Sequence, residues 1–437
     1  MPDFLPFCGY RFSPNLAERL SNMLAPPYDK ISPQELWRLW QVDPLNAVRL
    51  VLPPPEMATG DFVTQSATQS SADWYAGARR FLDDWIRGGI LRRDGPGYFF
   101  YRQDFPLDGR WFCRWGVIGA LALADHDETL AHEQTFEGPK ADRFRLLKAT
   151  QANVCSIFIV ATDPQRTLVR VAGGLGQPAI DCSTSDGVRH RLYATTDQET
   201  IQATRAAVGT STLMIADGHH RYETARNYRA WIRQNMDPPG ESPADAVMAY
   251  VCPMTQEGLV ILPTHRVVHD LNPGWLGHLA SQTCIEARRV SGGVSDLLRD
   301  LEGLPETHVA VGATDGDQFL VLRRDERADP ESYRTMHPAL QNTDVMFLHH
   351  VILKHLVAAP EENAGRISYL GDPQEVLALV KAKPRAGAFF LRPPKPEQVM
   401  EASRSGQRMP HKSTDFFPKI PTGLIIRLLR EPPSSET

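Results

Sequence analysis

The segment Asp217–Arg221 (DGHHR) places charged side chains and a glycine at the junction of two predicted elements. The apolar run TLMIA before it predicts a strand, and the residues after it predict a helix up to about Arg233. The first N–H groups of a helix and the helix dipole both favour a phosphate group. Gly218 would let the backbone approach such a ligand closely. The pattern therefore predicts an anion-binding turn.

The side chains of this turn suggest how an anion could be held. Arg221 suits a bidentate contact with phosphate, and Asp217 suits a divalent cation. The alternative is that His219 and His220 only cap and pack the turn. We favour an active site, because four consecutive polar or basic groups follow directly after a strand and adjacent histidines rarely both face a core.

A second charged cluster lies upstream and leads into a predicted helix over Lys140–Thr150. It offers an acid, a base and cations that could serve general acid–base chemistry. Its members are His132, Glu133, Lys140, Asp142 and Arg143. A solvated loop with a proline at the helix start explains the same pattern equally well. The H-E-x-x-H pattern of zinc-dependent proteases is absent.

Two further segments carry basic groups. The K-S-T sequence at Lys412–Thr414 resembles the end of a phosphate loop, but the upstream glycines of the G-x-x-x-x-G-K-[ST] pattern are missing. His265 and Arg266 follow a predicted strand, where a hydrogen-bonded turn histidine is more common than a ligand. No G-x-G-x-x-G or G-x-S-x-G motif supports a nicotinamide dehydrogenase or an α/β-hydrolase.

The secondary-structure elements that must position these groups include both helices and strands. They lack the regular βαβ spacing of a doubly wound sheet. The sequence therefore predicts an α+β (mixed α/β) fold. Predicted helices begin after Ser32 and cover Trp74–Ile90, Lys140–Thr150, Arg221–Arg233 and Asp344–Ala358. Predicted strands flank a D-G turn at Asp108–Gly109 and cover Val154–Val160, Val247–Pro253, Val260–Leu262, His308–Ala313 and Phe319–Leu322.

The length of 437 residues predicts two to four domains, at about 100 to 200 residues each. Residues 1–52 are expected to form the N-terminal part of the core and residues 53–72 a surface loop. Residues 73–270 are expected to form a central α+β core that carries both charged segments, and residues 271–400 a second α+β region. Residues 401–437 would return the K-S-T sequence to the site.

The composition argues against several classes of protein. The 47 Lys and Arg against 52 Asp and Glu give a net charge of -5, which is not the footprint of a general nucleic-acid binder. The 6 cysteines are scattered singly, which argues against a zinc ribbon or a thioredoxin-type site. No run approaches the roughly 20 apolar residues that cross a bilayer. We expect a cytoplasmic protein without a membrane segment.

Seven segments, taken together and in order, resemble the bacterial and archaeal family catalogued as domain of unknown function 1015. They are APPYDKIS (Ala25–Ser32), DPLNAVRL (Asp43–Leu50), HEQTFEGPKADR, QANVCSIF, IADGHHRYETA, LPTHR and MPHKSTDFFPK. The D-G-H-H-R element is also similar to the strand-to-helix phosphate site of the ParB and sulfiredoxin superfamily, which includes nucleotide-dependent free-serine kinases. This resemblance implies a ParB/sulfiredoxin-like nucleotide-binding core with additional α+β segments.

The resemblance implies a nucleotide-dependent phosphotransferase for a small hydroxylated metabolite, with free serine as the first candidate. ATP or another nucleotide would be the co-substrate and Mg²⁺ the cofactor. The implied phosphate contacts are Gly218, His220, Arg221, Lys412, Ser413, Thr414 and Lys419. Glu133 would be the base, with His132 or His219 in competition; Lys140, Asp142, Arg143, His265 and Arg266 would bind the substrate, and Asp217 would hold Mg²⁺.

Two other classes of function stay open. A non-catalytic, nucleotide-gated adaptor is the role that ParB-type relatives would suggest, although the acidic net charge weighs against DNA as a partner. A metal-dependent hydrolase would use side-chain ligands from both charged segments, namely His132, Glu133, Asp217, His219 and His220. Adjacent histidines seldom both reach one metal, which weighs against this hypothesis.

Overall fold

The computed structural model describes residues 3–57, 70–123, 129–133, 137–236, 240–357 and 364–433. The chain divides into two compact units. Unit 1 comprises Met1–Thr129, Thr135–Leu259 and Pro418–Thr437, and unit 2 comprises Leu130–Gln134 and Val260–Phe417. The sequence predicts a boundary after residue 270 and one undivided C-terminal segment. In the structure the boundary follows Leu259, and the C-terminal segment divides after Phe417.

The β-strands are numbered in chain order. They are β1 Phe4–Leu5, β2 Phe7–Phe12, β3 Leu91–Leu107, β4 Arg110–Ala122, β5 Thr129–Leu130, β6 Ala152–Asn153, β7 Ile157–Ala161, β8 Ile180–Ser183, β9 Arg189–Thr195, β10 Leu213–Asp217, β11 Ala246–Pro253, β12 Val260–Leu262, β13 His265–Val268, β14 Ile285–Arg289, β15 Ala310–Thr314, β16 Phe319–Arg324, β17 Ile367–Leu370, β18 Gly387–Phe390, β19 Asp415–Phe417 and β20 Ile426–Leu428.

The α-helices are numbered in the same way. They are α1 Leu20–Met23, α2 Pro33–Val42, α3 Ser70–Arg87, α4 Glu137–Thr150, α5 Thr167–Ala172, α6 Gln198–Gly209, α7 His219–Asn235, α8 Trp275–Ala280, α9 Val294–Glu302, α10 Glu331–Arg334, α11 Pro338–Gln341, α12 Asp344–Phe347, α13 Pro373–Ala382 and α14 Pro396–Arg404. Short 3-10 helices cover Pro14–Arg19, Tyr28–Lys30, Ala47–Leu50, Pro55–Met57, Pro243–Asp245, Glu326–Ala328, Leu353–His355 and Ala364–Arg366, and a π-helical turn covers Leu348–Ile352.

Unit 1 is built on a mainly antiparallel sheet with the strand order β10-β7-β11-β4-β3-β2-β20-β6. Only the β11–β7 pair among these is parallel. The predicted D-G turn joins β3 to β4, and both Asp108 (φ 50°) and Gly109 (φ 73°) are left-handed, as a two-residue hairpin turn of type I′ requires.

Three helices of unit 1 bring the charged segments of the chain toward this sheet. Helix α7 contacts β7, β11 and α4, and α4 also contacts α3. Apolar side chains fill the contacts between these helices, because each helix buries its apolar face against its neighbours. One cluster contains Leu147, Tyr228 and Ile232, and another contains Trp74 and Leu146. The strand β10 and the helix α7 are therefore held by packing on both sides of the turn that joins them.

Unit 2 is built on an antiparallel sheet with the strand order β14-β16-β15-β18-β13-β17. Helices α9 and α13 contact this sheet. Its core contains Val267, Leu297, Val321, Val376 and Phe390. A separate antiparallel pair, β12 with β19, joins the residues after the unit boundary to the C-terminal end of unit 2.

The α+β prediction is confirmed, and most of the predicted elements are present. The Ser32 hydroxyl accepts a hydrogen bond from the Glu35 N–H (3.2 Å), which caps α2. Helix α3 begins at Ser70, so the end of the predicted loop is helical; residues 58–69 of that loop lie outside the described residues. The helix predicted over Asp344–Ala358 is split into α12, a π-helical turn and a 3-10 helix. Across the described ranges, no helix combines the length and the apolarity that crossing a membrane needs.

Candidate functional site

The turn between β10 and α7 depends on glycine. Gly218 has φ 89° and ψ 30°, a left-handed conformation that lets the strand pass straight into a helix of 17 residues. A Cβ atom on Gly218 would lie 3.0 Å from the Arg221 Cζ atom. Both the backbone angle and the nearby guanidinium therefore require glycine. As the N-cap residue of α7, Gly218 offers no side chain to cap the first N–H groups of the helix.

Two cations share one carboxylate beside this turn. The Asp217 Oδ2 atom lies 2.6 Å from the Arg221 Nη2 atom, and the Asp217 Oδ1 atom lies 2.8 Å from the Lys419 Nζ atom. All three side chains are largely buried, at 13% to 16% exposure. The start of α7 therefore combines a helix dipole with cationic side chains, which is a favourable setting for an anion.

Arg221 also ties the turn to the rest of unit 1. Its Nη1 group donates to the Ser156 carbonyl oxygen and to the Cys155 Sγ atom (3.0 Å). Burial by itself lowers the pKa of the guanidinium, but the neighbouring Cys155 and Asp217 groups raise the pKa overall, so Arg221 stays charged. The side chain is thus an anchor of the turn as well as a predicted phosphate contact.

The other predicted residues near this turn take different positions. His219 is buried, with 7% of its surface exposed, while His220 is half-buried. The Lys140 Nζ atom at the start of α4 lies 3.2 Å from the Glu223 Oε2 atom of α7. Lys140 therefore lies beside the first turns of α7, and its predicted substrate-binding role stays a prediction.

Asp142 and Arg143 form a hydrogen-bonded network in unit 1, and their role in substrate binding stays a prediction. The Asp142 carboxylate accepts hydrogen bonds from the Tyr75 hydroxyl (2.6 Å) and from the Arg143 Nε group (2.7 Å). The Arg143 Nη1 group donates to the Val51 carbonyl oxygen (2.9 Å), and its Cζ atom lies 4.1 Å above the Tyr28 ring. Both Asp142 oxygens therefore accept hydrogen bonds within this network.

Unit 2 brings the second charged segment together with the K-S-T sequence. The Thr414 Oγ1 atom lies 2.9 Å from the His132 Nε2 atom and donates to the Glu133 Oε1 atom at 3.2 Å. The Thr414 N–H group donates to the same Glu133 oxygen at 3.3 Å. The backbone also joins the two segments, since Glu133 forms a parallel β-bridge with Met409. These contacts place His132, Glu133 and Thr414 in one hydrogen-bonded group.

The other members of the K-S-T sequence have local roles. Lys412 adopts a left-handed backbone conformation, with φ 57°. The Ser413 hydroxyl is buried and donates to the Pro410 carbonyl oxygen. These contacts shape a turn, so a phosphate role for Ser413 has no open hydroxyl donor to rest on.

His265 and Arg266 are buried in unit 2, and their predicted substrate-binding role stays a prediction. Each is 1% exposed. The His265 Nδ1 atom accepts a hydrogen bond from the Leu391 N–H group (3.2 Å). Arg266 donates to backbone carbonyl oxygens, including that of Lys412 (2.9 Å), and its Cζ atom lies 5.3 Å from the Tyr369 ring centroid. Arg266 therefore holds the K-S-T turn in place.

A cavity of about 70 Å³ lies in unit 1 beside Arg221. Its polar lining residues include Tyr28, Arg143, Cys155 and Thr224. Sequence reasoning did not single out Tyr28, Cys155 or Thr224 by role. All three nevertheless fall inside the segments APPYDKIS, QANVCSIF and IADGHHRYETA that carry the family resemblance. The signal was present in the motifs, but the motifs did not indicate which side chains share a cavity.

The geometry does not favour the predicted metal sites. Both oxygens of Asp217 already accept from cations, so a metal ion would have to displace one of them. Within the part of the chain that the structure describes, no group of three or more His, Cys, Asp or Glu side chains could hold a metal ion.

Comparison with known proteins gives one family and several remote structural similarities. The family model described as protein of unknown function (DUF1015) matches residues 4–346. No curated protein matches the chain significantly.

The similar solved structures are all distant in sequence. A mutant of a free serine kinase in complex with ADP is 12% identical, with a TM-score of 0.34 over 67% of this chain and 87% of that chain. A conserved hypothetical protein from Pyrococcus furiosus is 12% identical, with a TM-score of 0.32 over 69% and 93% of the two chains. SbnI with a C-terminal truncation, from Staphylococcus aureus, is 10% identical, with a TM-score of 0.34 over 73% and 91%.

Proposed function

The chain belongs to the family described as protein of unknown function (DUF1015), and we propose that it is a nucleotide-dependent phosphotransferase. In this proposal the turn Asp217–Arg221 binds the phosphate groups of ATP or another nucleotide. The acceptor is a small hydroxylated metabolite, and free serine is the first acceptor to test.

One observation carries the proposal: a glycine N-cap begins a helix of 17 residues at the point where Lys419 and Arg221 share Asp217. Backbone N–H groups at a helix start, a favourable dipole and cationic side chains are the features that bind phosphate. Lys419 is the cation chosen for the test, because Arg221 is also bonded to the Ser156 backbone and its removal would disturb the turn.

Phosphoryl transfer asks little covalent chemistry of the protein. The acceptor hydroxyl oxygen forms a bond to the terminal phosphorus, the bond from that phosphorus to the leaving nucleotide breaks, and the hydroxyl proton passes to a base. Lys419 and the helix dipole would stabilise the charge on the phosphate oxygens. Glu133 stays the predicted base, with His132 or His219 as competitors.

A resident Mg²⁺ ion does not fit Asp217, because both carboxylate oxygens are paired with cations. Mg²⁺ usually keeps several waters and binds through substrate phosphates and one or two carboxylates. We therefore assign no step to a metal held by the protein, and any Mg²⁺ enters as part of the nucleotide complex.

The proposal is tested by titrating the full chain with pyrophosphate and with ATP, with and without Mg²⁺, by calorimetry. Lys419→Met removes the charge and keeps the side-chain length. Its affinity for pyrophosphate should fall by about tenfold or more, since a hydrogen bond to a charged group contributes about 1.5 to 3 kcal/mol. The matched control is Lys148→Met. It removes a cation of α4 that lies over the ring of Trp231 on α7. Equal affinities of the two variants would contradict the phosphate site.

Transfer itself is measured by phosphate incorporation into serine and other small alcohols. Glu133→Gln should abolish incorporation and leave pyrophosphate binding unchanged, because the base is not needed for binding. Full incorporation by this variant would remove Glu133 from the mechanism. Binding of nucleotide without transfer to any acceptor would favour the adaptor hypothesis instead.

A further inference from the structure

The cavity beside Arg221 is suited to a small ligand rather than to a nucleoside. Its volume is about 70 Å³, several times the roughly 10 to 15 Å³ that a single water molecule needs. Apolar side chains form most of its wall, including Leu146, Val154, Ile157 and Val247. The space therefore fits a short aliphatic fragment of a few heavy atoms.

A buried hydroxyl in the cavity wall lacks a hydrogen-bond partner among the described residues. Thr224 lines the cavity, is 3% exposed, and its Oγ1 atom makes no hydrogen bond. Leaving a buried hydroxyl unsatisfied costs about 1 to 3 kcal/mol. Such a group is expected to have a partner in the working protein, and a hydroxyl-bearing ligand would supply one.

Two guanidinium groups make the same cavity favourable for a negatively charged ligand. Arg143 and Arg221 both line it, and no Asp or Glu is among its described lining residues. Each guanidinium has five N–H donors. Among the described residues, Arg143 makes three hydrogen bonds, to Asp142 and the Val51 carbonyl oxygen, and Arg221 makes three, to Cys155, Ser156 and Asp217. Donors therefore remain for a carboxylate, while the cavity offers no acidic partner to an ammonium group.

The cavity is connected to the phosphate turn through shared residues. Thr224 lies one helical turn beyond the start of α7, and Arg221 both lines the cavity and packs against Gly218. A ligand in the cavity would thus lie against the same helix and the same guanidinium that the turn uses.

We infer that this cavity is the acceptor subsite of unit 1 and that it takes a short hydroxy acid, a molecule with a hydroxyl, a carboxylate and an aliphatic link but no ammonium group. The inference rests on the proposed function and narrows its acceptor. The Thr224 hydroxyl pairs with the ligand hydroxyl, and Arg143 and Arg221 pair with the carboxylate. Free serine is the poorer ligand, because its ammonium group would face two guanidinium groups.

The test compares 3-hydroxypropanoate with L-serine, which differ by the amino group alone. Both are titrated into the full chain by calorimetry, and pyrophosphate is titrated separately as the probe of the turn. 3-Hydroxypropanoate should bind at least tenfold more tightly than serine. Thr224→Val, which keeps the side-chain shape, should weaken 3-hydroxypropanoate by about tenfold and leave pyrophosphate binding unchanged.

The matched control is Thr204→Val. Thr204 is also buried on a helix of unit 1, at 0% exposure, with an Oγ1 atom that makes no hydrogen bond within the described part of the chain, but it does not line the cavity. This variant should bind both probes as the parent chain does. The inference would be overturned if 3-hydroxypropanoate failed to bind, or if it bound the parent chain and Thr224→Val equally well. Tighter binding of serine than of 3-hydroxypropanoate would also overturn it. Failure of pyrophosphate to bind the parent chain would instead overturn the phosphate turn, and the cavity would still be judged by its own two ligands.

Discussion

Single residues decide whether the turn before α7 can bind an anion. Asp217 holds two cations, Arg221 anchors the turn to the Ser156 backbone, and Gly218 supplies the left-handed geometry. His219 is buried at the first position of α7. The roles within one short motif thus differ from residue to residue.

Gly218→Ala should impair this turn in two ways. The left-handed conformation costs an alanine about 1 kcal/mol or more, and the new Cβ atom would press on Arg221. The melting temperature should fall, and pyrophosphate affinity should fall by more than tenfold. Thermal unfolding and calorimetry measure the two effects.

Gly89→Ala provides the comparison, because Gly89 has φ 67° and a Cβ atom added there would meet open space among the described residues. It shares the conformational cost but not the contact. If both variants bind pyrophosphate like the parent, the geometry at Gly218 is unrelated to anion binding.

At the scale of elements, the C-terminal segment is an integral part of unit 1. Strand β20 pairs with β2 on one side and with β6 on the other. The Gln103 side chain donates to the Lys419 carbonyl oxygen (3.0 Å), which fixes the segment that carries the Lys419 side chain. The same stretch of chain therefore completes the sheet and delivers a cation to the turn.

A chain that ends at Phe417 should lose the stability of unit 1 and its pyrophosphate binding. It would lack β20 and the buried side chains Leu424, Ile425 and Ile426, whose burial contributes about 5 kcal/mol or more in total. Denaturant unfolding measures the effect. A chain that ends at Glu431 is the control, since it keeps all of these residues. Native-like stability of the shorter chain would show that β20 is dispensable.

At the scale of the whole molecule, buried histidines make stability depend on pH in both units. Burial lowers the pKa of His190 from 6.5 to about 4, and the ring lies between the Tyr101 hydroxyl (2.5 Å) and the Thr184 hydroxyl (2.8 Å). Burial, together with the neighbouring Arg266, lowers the pKa of His265 from 6.5 to about 4. Both rings are therefore neutral in the folded chain at neutral pH.

The free energy of unfolding should consequently fall as the pH decreases from about 6.5 to about 4. In this window the unfolded chain takes up protons that the folded chain does not, so each histidine costs up to about 1.4 kcal/mol of stability per pH unit. His190→Gln should reduce this slope, as urea unfolding at several pH values would show. The exposed His278 is the control position. An unchanged slope in His190→Gln would contradict the assignment.

The sequence alone determined the local features of this protein. The hairpin turn at Asp108–Gly109, the capped start of α2 and the strand–glycine–helix order around Gly218 were all predicted, since turn chemistry and apolar periodicity depend on neighbours within a few residues. The order of the motifs along the chain also identified the family. These properties need no knowledge of which distant segments meet.

Only the tertiary structure decided which groups act on one another. Lys419 meets Asp217 across 202 positions, and Thr414 meets His132 across 282. Arg143 was a candidate ligand contact in the sequence, and the packing placed it over Tyr28, paired it with Asp142 and made it part of the wall of the cavity. Burial and long-range pairing depend on how whole elements pack, and that packing sets the charge, the hydrogen bonds and the cavity that a motif can offer to a ligand.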